Sequence, residues 1–140
     1  MQISLDTNIW IFAIVAKEPV CTKILSNLGG FDVVLPDQIR VELERNFSDN
    51  DMKLFYRLLL RYNIKIDFEP VPRYLVIEFE GKGLKKGDAE IGAFCEWRQI
   101  DLFVSDNREF LRGLSPEHYF DVMSPDEFCQ KFDLRNIDVL

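Results

Sequence analysis

Short apolar runs alternate along this chain with longer segments in which apolar residues recur every three or four positions. The short runs predict β-strands, and the longer periodic segments predict helices. The predicted strands are Gln2–Leu5, Phe31–Leu35, Ile64–Phe68, Asp101–Ser105 and Tyr119–Met123. Because helical segments separate successive strands, the pattern predicts an α/β fold, a three-layer sandwich whose parallel sheet has helices on both faces.

The helical segments have recognisable starts and ends. They are predicted at 8–16, 20–28, 37–47, 49–62, 72–80, 87–98 and 125–132. Ser48 followed by Asp51 resembles a capping box at the start of the fourth of these helices. The chain shows no repeat, linker or low-complexity segment, so we expect a single domain over 1–140. Its last residues, 133–140, mix charged and apolar side chains, and the alternatives for them are an added edge strand, docking on a partner, or a flexible tail.

The composition excludes several classes of protein. The chain is 47% hydrophobic and has 12 Phe, which is enough for a core. No apolar run reaches the ~18 residues that a membrane span needs. The three cysteines, Cys21, Cys95 and Cys129, form no disulfide or zinc pattern, which favours a reduced, cytoplasmic setting. His118 is the single histidine and is interpreted as an ordinary surface residue, so H-E-x-x-H motifs and histidine-rich zinc sites are excluded.

The net charge is −7, from 24 acidic and 17 basic residues. Taken alone, this charge argues against a nucleic-acid partner, because phosphate contacts come from Lys and Arg. The argument weakens if some of the acids hold a metal ion, because a bound cation inverts the local field.

Two acids stand where a carboxylate has a potential chemical use. Asp6 follows the first strand directly, and ligands bind at the carboxyl ends of parallel strands. Its alternative role is to cap the next helix. Glu42 lies three residues after Ile39, near the inward face of its helix, whereas Glu44 points roughly 200° away. The alternative for Glu42 is an ordinary solvated side chain.

Two further acidic positions occur late in the chain. Asp88 lies in the first turn of a predicted helix, where the helix dipole favours an acid whatever its function. Glu90 is a less favoured alternative ligand. Asp106 and Asn107 follow the strand 101–105, which repeats the arrangement at Asp6 and has the same capping alternative.

Carboxylates brought together at one sheet edge would need a proton or a cation. Two of them about 4 Å apart repel by roughly 4 kcal/mol at an effective dielectric of 20. With one histidine and no useful cysteine pattern, oxygen ligands alone would select Mg²⁺ or Mn²⁺. These ions suit phosphate esters, because they polarise the phosphoryl group and activate water.

In order and spacing, these segments resemble the PIN domain, the metal-dependent ribonuclease fold of the VapC-type toxins. The matching segments are Leu5-Asp6-Thr7-Asn8, Val41-Glu42-Leu43, Lys86 to Phe94, and Val104-Ser105-Asp106-Asn107 followed by Phe110. The match runs from Met1 to about Pro125. It implies a parallel five-stranded sheet of order 3-2-1-4-5, with the first and fourth strands side by side. It also places Asn107 at the fourth ligand position, unless the turn rotates and Asp106 takes that place.

The resemblance implies a Mg²⁺- or Mn²⁺-dependent endoribonuclease that leaves a 5′ phosphate, the toxin of a toxin–antitoxin pair. Asp6, Glu42 and Asp88 are the expected catalytic and metal-binding core, and Glu42 would orient or deprotonate the attacking water. Asp106 and Asn107 share the fourth ligand position. The side chains expected to hydrogen-bond these ligands are Thr7, Asn8 and Ser105. The cations expected to bind RNA phosphates are Arg40, Arg45, Lys85, Lys86 and Arg108.

The implied partners are RNA, a small antitoxin and a second copy of the chain. Two other functions stay open. One is an inactive PIN domain that binds RNA or a protein without cutting, favoured by Asn107 and by the acidic charge. The other is a haloacid-dehalogenase-like phosphatase, which needs a second Asp where this chain has Asn8.

Overall fold

The computed structural model describes residues 1–107, 110 and 118–136, and these form an α/β fold with parallel strands flanked by helices. The strands are β1 Gln2–Leu5, β2 Asp32–Val33, β3 Leu35–Pro36, β4 Ile66–Asp67, β5 Leu102–Val104 and β6 Asp121–Met123. The helices are α1 Thr7–Ile14, α2 Pro19–Ser26, α3 Asp37–Asn46, α4 Asp49–Arg61, α5 Arg73–Gly81, α6 Lys86–Trp97 and α7 Pro125–Lys131. A 3₁₀ turn at Leu28–Gly30 follows α2.

The described strands form two parallel sheets, so the prediction of one five-stranded sheet is wrong. The larger sheet has the order β2-β1-β5-β6, and β3 pairs with β4 in a second sheet. The predicted strand Phe31–Leu35 is divided between the two sheets at Val34. The Val34 N–H still donates to the Ile3 carbonyl at 2.9 Å, but the chain then turns to pair Leu35 with β4. Pro36 has no N–H to extend the ladder.

The central strands are buried on both faces. Ile3, Ser4 and Leu5 are fully buried, and because successive side chains of a strand point to opposite faces, helices must cover both faces of β1. The predicted neighbour relation of the first and fourth predicted strands is confirmed as the pairing of β1 with β5, with Leu5 opposite Val104. This register aligns the carboxyl ends of the two strands.

Close packing fixes the helices around the larger sheet. Trp10 of α1 meets Phe55 of α4 edge to face, with ring centroids 5.1 Å apart. Helices α5 and α6 also pack closely. A Cβ added at Gly92 of α6 would lie 2.8 Å from the Phe79 ring of α5. The close approach of α5 and α6 therefore depends on glycine at this position.

The predicted capping box is confirmed, since Ser48 and Asp51 exchange side-chain-to-backbone hydrogen bonds at the start of α4. His118 is half-buried, and its ring packs on the Phe120 ring with centroids 4.7 Å apart. Leu134, in the predicted tail, packs against the core, and positions 137–140 lie outside the described residues. Among the helices that the structure describes, none combines the length and the apolar composition needed to cross a membrane.

Candidate active site

Asp6 lies at the junction of β1 and α1, and it is 4% exposed. One carboxylate oxygen accepts the Thr7 backbone N–H at 2.8 Å, and the other accepts the Ser105 hydroxyl at 2.7 Å. Ser105 follows β5, and the pairing of β5 with β1 brings it next to Asp6. Asp6 is therefore a helix cap that also faces the carboxyl edge of the larger sheet.

The environment of Asp6 disfavours its charged form. Burial raises the pKa of Asp6 to about 6, although hydrogen bonds from Ser105 and Thr7 oppose the rise. The negative charges of Asp88 and Glu42 raise the pKa further. A nearby cation would favour the carboxylate and relieve this electrostatic cost.

Glu42 of α3 is held by two donors. The Thr7 hydroxyl donates to one of its carboxylate oxygens, and the Gln38 side-chain amide donates to the other at 3.4 Å. Gln38 lies four residues earlier on the same face of α3. The first turn of α6 also comes close, since a Cβ added at Gly87 would lie 3.0 Å from Glu42 Oε1. Glycine at this position leaves room for the carboxylate.

Asp88 of α6 is bound by Asn107 across the site. Asn107 Nδ2 donates to Asp88 Oδ2 at 3.0 Å, and the Asn107 backbone N–H donates to Ser105 Oγ at 2.9 Å. Ser105 thus connects Asn107 to Asp6. The structure does not bring Asp106 into this group, because Asp106 lines a separate pocket with Glu18.

These residues line one cleft of about 280 Å³ at the carboxyl edge of the sheet. Its lining consists of Asp6, Thr7, Asn8, Ile11, Glu42, Arg45, Asn46, Asp88 and Asn107. Within residues 1–107, 110 and 118–136, no three Asp, Glu, His or Cys side chains stand close enough to form a ready-made metal site. The donor set nevertheless fits Mg²⁺ or Mn²⁺, because three carboxylates and an amide supply the oxygen atoms that these ions prefer.

Two acids that sequence reasoning set apart stay outside the cleft. Glu44 accepts from the Arg40 guanidinium at 2.7 Å, and Glu90 lines a different pocket beside Asp67. Gln38 was missed, although its spacing of four residues from Glu42 on one helix is a signal that predicts their contact.

The predicted RNA-binding cations are not equivalent. Arg45 is exposed and lines the cleft, and Lys85 and Lys86 are exposed at the start of α6, near Asp88. Arg40 is bound by Asp37 at 2.5 Å as well as by Glu44, so its charge is already compensated. Arg108 lies outside the described residues.

Comparison with solved structures identifies the class of fold. VapBC2 from Rickettsia felis, solved with a DNA fragment from its promoter, matches with a TM-score of 0.68 and 20% identity over 89% of this chain and 98% of the other. DNA-bound VapBC from Salmonella typhimurium matches with a TM-score of 0.66 and 18% identity over the same shares of the two chains. PAE2754 from Pyrobaculum aerophilum matches with a TM-score of 0.60 and 13% identity over 95% of this chain and 98% of that one.

No family model and no curated protein matches the sequence. At these low identities, the likeness to solved structures shows a common fold. The chain is therefore an α/β protein that shares its fold with chains of VapBC structures.

Proposed function

We propose that this protein is a metal-dependent endoribonuclease. The observation that carries the proposal is the convergence of Asp6, Glu42 and Asp88, with Asn107, on one cleft at the carboxyl edge of the sheet. These side chains come from four separate parts of the chain, and capping or solvation of each one alone does not require them to share a cleft. The common fold with chains of VapBC structures supports the same assignment.

The three acids of the cleft have distinct roles in this proposal. Asp6 and Asp88 would hold Mg²⁺ or Mn²⁺, which when bound supplies polarisation of the scissile phosphate and screening of its charge. Asn107 orients Asp88 through its side-chain amide. The Thr7 hydroxyl and the Gln38 amide orient the Glu42 carboxylate, which then accepts the proton of the attacking water.

The likeness to VapBC structures also supports a toxin within a toxin–antitoxin pair. The partners in this proposal are an RNA substrate, a small antitoxin protein and a second copy of the chain.

Matched acids on the same helices provide the test. Asp88→Ala and Glu42→Ala should each lower Mg²⁺- or Mn²⁺-dependent RNA cleavage at least about 100-fold, because each removes a metal-binding or proton-accepting group. Glu90→Ala and Glu44→Ala remove the same charge from α6 and α3 outside the cleft, and they should cleave as wild type does. Cleavage assays on variants with wild-type circular dichroism decide the matter. Asp88→Ala protein that cleaves at the wild-type rate would falsify the assignment.

A second function, binding without cleavage, is favoured by one observation. Asn107, which is neutral and donates to Asp88, lies in the cleft beside three acids, so the cleft has one negative side chain fewer than four acids would provide. Calorimetry with Mn²⁺ separates the two functions. RNA binding without measurable Mn²⁺ binding would support the binding module. The phosphatase mechanism needs an acid at the position where this chain has Asn8, which lines the cleft.

A further inference from the structure

Helix α4 and the residues after it carry a cationic surface on an acidic protein. The segment from Lys53 to Lys65 contains four basic residues and no acid, although the whole chain has a net charge of −7. Lys53, Arg57 and Arg61 recur every four residues, so they lie along one side of α4. Together with the adjacent Tyr56 and Leu60, these three cations form a surface that we call the α4 cationic face.

Two cations of this face are not compensated by acids. Within the described part of the chain, no carboxylate lies within ion-pair distance of Lys53 or Arg57, and both side chains are exposed. Arg40 and Arg98 differ from them, since each is bound by two carboxylates. The charges of Lys53 and Arg57 therefore remain available to an anionic partner.

The α4 cationic face also presents apolar side chains between its charges. Tyr56 is 40% exposed and Leu60 is 83% exposed. The Tyr56 ring contacts the buried Phe55 ring, with centroids 5.5 Å apart, and this packing helps to hold the Tyr56 ring in place on the surface. Proteins usually bind single-stranded nucleic acid with two kinds of side chain. Cations bind the phosphates, and a neighbouring aromatic ring stacks on a base.

The face begins close to the cleft. Arg45 and Asn46 line the cleft at the end of α3, and α4 starts at Asp49. Three extended residues and one turn of helix place the Lys53 backbone within about 17 Å of Asn46. From Lys53 to Arg61 the helix rises about 12 Å more. A strand of a few nucleotides spans that distance, so RNA with one phosphate in the cleft is long enough to reach this face.

We propose that the α4 cationic face binds the backbone of single-stranded RNA a few nucleotides from the bond that is cut in the cleft. This inference rests on the proposed function, because it assigns the flanking part of the same substrate. RNA is favoured over an acidic protein segment because cations outnumber the apolar side chains of the face and because the face begins within about 17 Å of Asn46, which lines the cleft. The acids of the remaining surface, including Asp49 and Asp51 in the first turn of α4, repel RNA, so binding is concentrated on the face itself.

Charge reversal tests the inference independently of cleavage. Binding of a labelled single-stranded RNA is measured in EDTA, where the strand stays intact. Lys53→Glu with Arg57→Glu should weaken binding at least about 10-fold. It should also reduce the slope of log affinity against log salt by about 1.4, because two phosphates are no longer neutralised. Tyr56→Ala should weaken binding by at least about 5-fold without changing the salt slope.

The matched control is Arg73→Glu with Lys131→Glu, which makes the same change in net charge at exposed positions of α5 and α7. This variant should bind within about twofold of wild type with an unchanged salt slope. Equal weakening in both double variants, or wild-type binding by Lys53→Glu with Arg57→Glu, overturns the inference. Lys53→Gln with Arg57→Gln must show the same direction of change if the reversal variant unfolds.

The two proposals fail in different ways. If RNA binding falls only in the face variant but no variant or wild-type protein cleaves RNA, the α4 cationic face stands and the nuclease fails. If wild-type protein cleaves RNA but charge reversal leaves binding unchanged, the nuclease stands and the face fails.

Discussion

At the scale of single residues, Asp6 combines two roles that sequence reasoning treated as alternatives. Its carboxylate caps α1 through the Thr7 N–H, and the same group is buried beside Glu42 and Asp88. Capping alone is satisfied by Ser, Thr or Asn, none of which carries a charge that burial disfavours. The electrostatic cost of a buried acid at this position is therefore a sign of function.

Asp6→Asn should stabilise the metal-free protein at neutral pH. The pKa of Asp6 is about 6 in the folded chain, against roughly 3.9 when unfolded. Between these values the folded state binds the extra proton, so the contribution of Asp6 to the free energy of unfolding falls as pH rises, by at most about 3 kcal/mol. Asn cannot titrate, and it keeps the capping oxygen.

Urea unfolding in EDTA at pH values from 4.5 to 7.5 measures this effect. The stability advantage of Asp6→Asn over wild type should grow as pH rises and level off above about pH 7. An advantage that stays constant with pH would show that Asp6 is not the titrating group.

At the scale of elements, the site depends on the approach of α6 to α3. The first turn of α6 passes close to Glu42, and glycine at position 87 leaves the space that the carboxylate occupies. The α5–α6 contact at Gly92 helps to fix α6 in this position. A change in the first turn of α6 therefore acts on a carboxylate of α3.

Gly87→Ala should lower RNA cleavage about 10-fold without lowering stability. The added Cβ would lie 3.0 Å from Glu42 Oε1, and the flexible end of Glu42 moves away more easily than the helix does. Gly81→Ala is the matched control, because nothing lies within 4 Å of a Cβ at that position. Cleavage rates and thermal unfolding of both variants check this prediction. Equal cleavage by both would show that the space beside Glu42 is unimportant.

At the scale of the whole molecule, the cleft joins parts of the chain that are far apart in sequence. Asp6, Glu42, Asp88 and Asn107 come from β1–α1, α3, α6 and the segment after β5. An ion held by these side chains binds the folded chain and not the unfolded one, so binding should appear as global stability.

Mn²⁺ should therefore raise the melting temperature of the wild-type protein. At a concentration 100 times the dissociation constant, the stabilisation is about 2.7 kcal/mol. Asp88→Ala should lose most of this shift, whereas Glu90→Ala, on the same helix, should keep it. Differential scanning fluorimetry with and without Mn²⁺ measures the shift. A melting temperature that Mn²⁺ leaves unchanged would contradict the metal site, whatever the cleavage assays show.

Much of this arrangement follows from the sequence, and the reasons for the rest are physical. The strand at Gln2–Leu5 was predictable, because the run is apolar and ends in a polar residue, whereas its pairing with Leu102–Val104 was expected only from the resemblance to the PIN domain. The division at Val34 was not, since two-residue strands have no periodicity of their own. Whether Asn107 or Asp106 faces the cleft depends on backbone torsions in a turn, and residue types alone do not determine these torsions. The pairing of Arg40 with Glu44 was predictable from their helical spacing.

The division of the predicted second strand has a mechanical consequence. Asp6 is attached to the larger sheet, whereas Glu42 stands on α3, which leads directly from the smaller one. The cleft thus lies between side chains carried by the two sheets. Its width depends on how the two sheets pack against each other and on the hydrogen bond from Thr7 of α1 to Glu42 of α3. A backbone rotation at Val34 would therefore change the distance between the carboxylates of Asp6 and Glu42.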